Sequence, residues 1–227
     1  MGAANVYETP GAERAAGHIK GLWRELGRAA GTRTIGLRRI EIAPGCFSTP
    51  VHDHGVEEEI FFVLGGKGLL WQKGSTYALS EGDCIVHRPG RGEHTLRAGE
   101  DGLDVLVFGQ RSEPVLTALP RAGVAWSGVR WIELAGGEGP FAREAAAGPP
   151  QCPPPTAERA ANVIALTDSP AIRDGQVRPL GRAAGARASG LNHVTLSAGQ
   201  GGAPAHCHSL EEELFVVLDG DGVLELW

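Results

Sequence analysis

The chain carries one string of residues twice. His52-Asp53-His54, Glu59 and Gly66 return as His206-Cys207-His208, Glu213 and Gly220, each 154 residues later. The match is wider than these positions. Leu26-Gly27-Arg28-Ala29-Ala30-Gly31 returns as Leu180-Gly181-Arg182-Ala183-Ala184-Gly185 at the same spacing of 154. Gly36-Leu37 returns as Gly190-Leu191, Pro50 as Pro204, and Glu57-Glu58-Glu59 as Glu211-Glu212-Glu213. No gap is needed to align the copies from Leu26 to Leu70. Self-similarity at a fixed offset points to internal duplication, so the fold must be a unit that one plan can build twice.

The repeated string has metal-binding chemistry. Side chains two apart on a strand point to the same face. Both histidines of each pair can therefore aim at one point, and an acid after a short turn can join them. Imidazole and carboxylate together suit a transition-metal ion.

Strand-like segments follow one another at short spacing: 36–42, 59–64, 68–72, 84–87, 94–98 and 103–108. Turns containing glycine separate them, among them Gly65-Gly66, Glu81-Gly82-Asp83 and Pro89-Gly90. The 34 glycines and 15 prolines fit many turns and few long helices. Short strands so spaced predict an all-β antiparallel sandwich or barrel.

The first domain is expected at 1–111, with its core at 26–110. Residues 112–160 read as a Pro-, Ala- and Gly-rich linker, stiffened by Pro149-Pro150 and Pro153-Pro154-Pro155, with one strand near 129–134. Residues 161–227 then form the N-terminal half of a second, partial repeat. A half sheet leaves open edges, so it must pack on the first domain, pair with another chain as in a homo-oligomer, or stay mobile.

A net charge of −6 argues against a nucleic-acid binder and gives no attraction to anionic membranes. The opening residues lack the basic and apolar blocks of a signal peptide, and no apolar run approaches a membrane span. Four scattered cysteines, with no Cys-x-x-Cys pair, fit free thiols in a reducing cytoplasm.

Gly45, His52, His54, Glu59 and Gly66 resemble the first signature of the cupin superfamily, with one extra residue between Gly45 and His52. Gly82, Pro89 and His94 resemble the second signature, again with one extra residue. Arg91 and Ala98 stand where that signature has glycine and asparagine. The duplicated layout resembles bicupins. The resemblance implies a cupin jelly roll holding a divalent transition metal (iron, manganese, nickel, copper or zinc). Carried over, the metal ligands are His52, His54, Glu59 and His94, and a second site would use His206, His208 and Glu213. It further implies a metal-dependent enzyme on a small organic acid or oxygenated metabolite, an oxidoreductase of dioxygenase type or a decarboxylase-like lyase. A non-catalytic ligand-binding module and an inactive fragment of a longer bicupin are the alternatives. No catalytic residue identifies itself.

Around the site, Phe61 and Val63 share strand parity with Glu59 and should line the interior, with Trp71 nearby. His87 and Arg91 are candidates to support the metal ligands or to bind an anionic substrate. Glu57 and Glu58 are expected to face solvent.

Overall fold

The computed structural model describes residues 2–128, 130–133 and 139–225. Its strands in chain order are β1 (Gly11–Ala16), β2 (Ile19–Arg24), β3 (Ile35–Ile42), β4 (Asp53–His54), β5 (Glu59–Gln72), β6 (Ser75–Ser80), β7 (Asp83–His87) and β8 (His94–Gln110). There follow β9 (Leu116–Leu119), β10 (Val124–Ser127), β11 (Trp131–Glu133), β12 (Val163–Ala165), β13 (Val177–Arg178) and β14 (His193–Val194). Among the described residues, three short α-helices, α1 (Leu26–Ala29), α2 (Pro140–Ala146) and α3 (Leu180–Ala183), and a 3-10 turn at Leu166–Asp168 complete the list. The chain is all-β, as the short strands and frequent turns predict.

The main sheet runs β1-β2-β3-β8-β5-β7-β12, with β6 paired to β5. A smaller sheet runs β11-β10-β9-β4. The spine is the long antiparallel pair of β5 and β8, which bends through two irregularities beside Gly65 and Gly66. Gly66 sits at φ 85°, and a Cβ there would lie 2.5 Å from the carbonyl oxygen of Gly102. Only glycine permits that turn and that approach together.

β5 opens with the apolar run Ile60-Phe61-Phe62-Val63, which fits a strand covered on both faces. Phe61 and Val63 point into a core with Leu70, Ile85, Leu96 and Val105. Ile60 and Phe62 point the other way, against Leu180, Ala184, Leu191, Leu214 and Val216. That second cluster brings residues from 26–62 together with residues from 180–216. Leu26 and Leu180 both belong to it, as do Leu37 and Leu191, and Ile60 and Leu214.

Two carboxylates lock this contact reciprocally. Glu58 accepts hydrogen bonds from the backbone N–H groups of Arg187, Ala188 and Ser189 at 2.8, 3.0 and 3.0 Å. Glu212 accepts from the N–H groups of Arg33, Thr34 and Ile35 at 2.9, 2.7 and 3.0 Å. Glu212 follows Glu58 by 154 residues, and Arg187 follows Arg33 by the same 154. Each copy thus grips the same loop of the other.

Several expectations need correction. Glu57 and Glu58 are buried, Glu58 at 2% exposure. Backbone donors and a histidine neutralise the cost of burying them. The strands β1 and β2 precede the expected core start at 26; their glycines and alanines hid the alternation. The segment 112–160 is more than a linker with one strand. It carries β9, β10 and β11, and only 131–133 of the expected strand is described as β-structure, with Val129 and Leu134 outside the described residues. β12 extends the main sheet by pairing with β7. After Val194 the described residues form no helix or strand.

Candidate metal centre

Four side chains converge where β4, β5 and β8 begin. His52 and His94 face each other through paired backbone hydrogen bonds of 3.2 and 2.9 Å. His54 lies on β4 beside Thr117 of β9, so the segment expected as a linker supports the site. Glu59 opens β5. The Nε2 atoms of His52, His54 and His94 lie 3.6, 3.5 and 3.1 Å from one oxygen of Glu59. One ligand atom from each of the four residues fits within a mutual span of 4.8 Å.

The imidazoles are held for this purpose. The Nδ1 of His52 lies 2.9 Å from the carbonyl oxygen of Pro50, which fixes the tautomer that frees Nε2 as a ligand. The Nδ1 of His54 lies 3.4 Å from a carboxylate oxygen of Glu57. A carboxylate behind a histidine raises its basicity and sets its ring orientation. The Nε2 of His54 is buried without a hydrogen-bond partner among the described residues.

The electrostatics of the cluster suit a bound cation. Burial opposes the charge on His54, but Glu59 and Glu57 outweigh it and raise its pKa to about 10. Burial alone would raise Glu59; His54, His52 and His94 overcome this and hold it well below the usual carboxylate range. Burial and then His52 push His94 down to about 4. Donors bound to one ion by bonds of about 2.0–2.2 Å stand roughly 3 Å apart. The observed spacings have that size, and the nitrogen–oxygen donor set fits one divalent transition-metal ion.

The other expected residues take different places. Phe61 sets its ring edge on His94 with centroids 6.3 Å apart, and Val63 lies deeper in the core. Trp71 is buried and donates its indole N–H to the carbonyl oxygen of Gln151 at 2.8 Å, anchoring the connecting segment. His87 stacks flat on His94, centroids 3.5 Å apart, and burial keeps its pKa well below 6.5. Arg91 is exposed. Glu57 was missed as a supporting group. Its spacing of three from His54, repeated in Glu211 and His208, was the available signal.

His206, His208 and Glu213 form a second cluster with the same local bonds. The Nδ1 of His206 lies 2.7 Å from the carbonyl oxygen of Pro204. All three residues are exposed, and no fourth ligand joins them among the described residues.

Comparison with known proteins bears on the fold that carries this cluster. Residues 38–108 match the family model described as "Cupin domain". Among curated proteins, none matches the chain significantly in sequence. A solved structure from Acidithiobacillus ferrooxidans, assigned provisionally as a sugar phosphate isomerase, is 28% identical over 55% of this chain and 84% of its own, with a TM-score of 0.51. A sugar phosphate isomerase from a cupin superfamily, from Silicibacter pomeroyi, is 19% identical over 55% of this chain and 85% of its own, with a TM-score of 0.46. Oxalate decarboxylase from Bacillus subtilis is 19% identical over 52% of this chain and 32% of its own, with a TM-score of 0.40. Among the described residues no helix is long and apolar enough to cross a membrane. The family match and the fold shared with the Acidithiobacillus ferrooxidans structure make residues 38–108 a cupin domain in an all-β jelly roll.

Proposed function

We propose that the first domain is a metal-dependent enzyme acting on a small oxygenated metabolite or organic acid. His52, His54, Glu59 and His94 would hold one divalent transition metal. The observation that supports this reading is the convergence of all four ligand atoms, two of the residues buried and two half-buried. Such an ion would supply Lewis acidity for an enolate-like or carboxylate oxygen. The chain's own residues do the rest. Pro50 and Glu57 orient the histidines, and Phe61 keeps water from the inner wall.

Anion stabilisation of this kind serves isomerisation and decarboxylation alike. The relative that shares 28% of its sequence is provisionally an isomerase of sugar phosphates, which favours proton transfer beside a carbonyl. Dioxygenase chemistry on the same ligands is the competing reaction. We further propose a bicupin-like plan, with residues 161–227 as part of a second cupin repeat. The reciprocal Glu58 and Glu212 contacts support it.

Elemental analysis of the purified chain, beside His54→Ala and His208→Ala, tests the metal centre. About one equivalent of metal, lost only in His54→Ala, is the expected result. A parent chain that stays metal-free after reconstitution would sink the metalloenzyme reading. A loaded chain inert toward sugar phosphates, dicarboxylates and oxygen would leave a ligand-binding module.

A further inference from the structure

A cavity of about 450 Å³ lies one ring away from the metal-ligand cluster. His87 lines it and also stacks on His94. Lys73, Arg88, Arg91 and Arg187 line it too, and no aspartate or glutamate does. In a chain of net charge −6, four cations without an acid form a local reversal of sign. None of the four is in an ion pair among the described residues. Unpaired like charges around one space repel each other, and an anion relieves the repulsion.

The cavity is assembled rather than incidental. Lys73 comes from the tight turn between β5 and β6, where it sits at φ 51° beside Gly74. Such turns favour Asn, Asp or Gly at that position, so a lysine is there against backbone preference. Its side chain runs over Gly92, where any Cβ would collide with it. Arg88 and Arg91 flank Pro89 between β7 and β8. Arg187 comes from the second copy of the repeat, and its backbone N–H is fixed by Glu58. The inter-copy clamp therefore positions one wall of the cavity.

We propose that this cavity binds the phosphate group of a small phosphorylated metabolite. The inference rests on the small-molecule reading above and names its substrate class. Guanidinium forks match phosphate oxygens in pairs, and a dianion answers several cations better than a carboxylate does. His87 then forms the partition between the phosphate subsite and the metal ligands.

Calorimetric titration of the full chain at fixed ionic strength tests this with glucose 6-phosphate, inorganic phosphate, glucose and succinate. Glucose 6-phosphate should bind most tightly, inorganic phosphate and the dicarboxylate succinate more weakly, and uncharged glucose not at all. Arg88→Gln and Arg187→Gln should each weaken glucose 6-phosphate binding roughly fivefold to tenfold. Arg28→Gln, which does not line the cavity, should leave it unchanged. Circular dichroism of each variant separates a lost ligand from a lost fold. Absent binding at millimolar concentration overturns the proposal. So does equal binding of succinate, or unchanged affinity in an Arg88→Gln, Arg187→Gln double variant that folds. Phosphate binding that persists in metal-free His54→Ala would uphold the subsite even if the metal reading failed.

Discussion

Removing Glu58 should release the second copy of the repeat from the first. Glu58 is 2% exposed and accepts three backbone hydrogen bonds of 2.8 to 3.0 Å, from Arg187, Ala188 and Ser189. Glu58→Ala strips all three donors of their acceptor. Each buried donor left alone costs about 1–3 kcal/mol. Release from burying a carboxylate, and water entering the gap, offset part of this. A net loss of about 3 kcal/mol follows, a large share of a domain's ~5–15 kcal/mol. Glu58→Gln keeps the shape and one acceptor and should cost about half as much. Glu212→Ala removes the matching contact at the surface and should cost about 1 kcal/mol, because water replaces the lost bonds. Urea unfolding gives the totals. Hydrogen exchange at Arg187, Ala188 and Ser189 gives the local effect, with protection falling first there. A loss below about 0.5 kcal/mol in Glu58→Ala, with protection at those amides intact, would refute the clamp.

Two further outcomes follow from the first domain. In metal-free protein, Glu59 and Glu57 raise His54 from 6.5 to about 10 against the opposing effect of burial. The stability this charge contributes is complete below pH 6.5 and is lost as pH climbs toward 10. The melting temperature of chelator-treated protein should therefore fall across that window, while loaded protein holds level; parallel profiles would count against it. Gly66→Ala forces a Cβ to within 2.5 Å of the Gly102 carbonyl at φ 85°. It should cost about 2–4 kcal/mol by urea unfolding, and a neutral result would mean the strand bend is soft.

The sequence disclosed what local rules govern. Parity placed Phe61 and Val63 in the core, spacing paired His52 and His54 with Glu59, and the resemblance to the cupin signatures added His94. It hid what depends on distant partners. Glu58 reads as an exposed acid in a run of three, yet donors 129 residues and more away bury it. Residues 112–160 read as linker because prolines dominate their end. Their strands are short, and β9 pairs with β4, which lies far away in sequence, as well as with β10. Lys73, Arg88 and Arg187 share no motif, since three separate turns bring them to one cavity.

The two copies separate local from tertiary causes within one chain. The near-identical strings give near-identical local bonds: Pro50 holds His52 as Pro204 holds His206, and Glu57 meets His54 as Glu211 meets His208. Their surroundings differ. Phe61 and Val63 are 3% and 0% exposed, whereas Phe215 and Val217, the matching residues, are 68% and 66% exposed. Sequence next to the ligands thus sets ring orientation, and the packed sheet sets burial and the fourth ligand. Metal affinity should follow the second cause. Three exposed donors compete with water and hold no preformed cage, so the second cluster should bind metal more weakly than the first. Competitive titration of His54→Ala and His208→Ala with a zinc chelator measures both sites separately. Equal affinities would mean that the His-x-His string and its glutamate suffice, and that the sheet behind His94 adds nothing to metal capture.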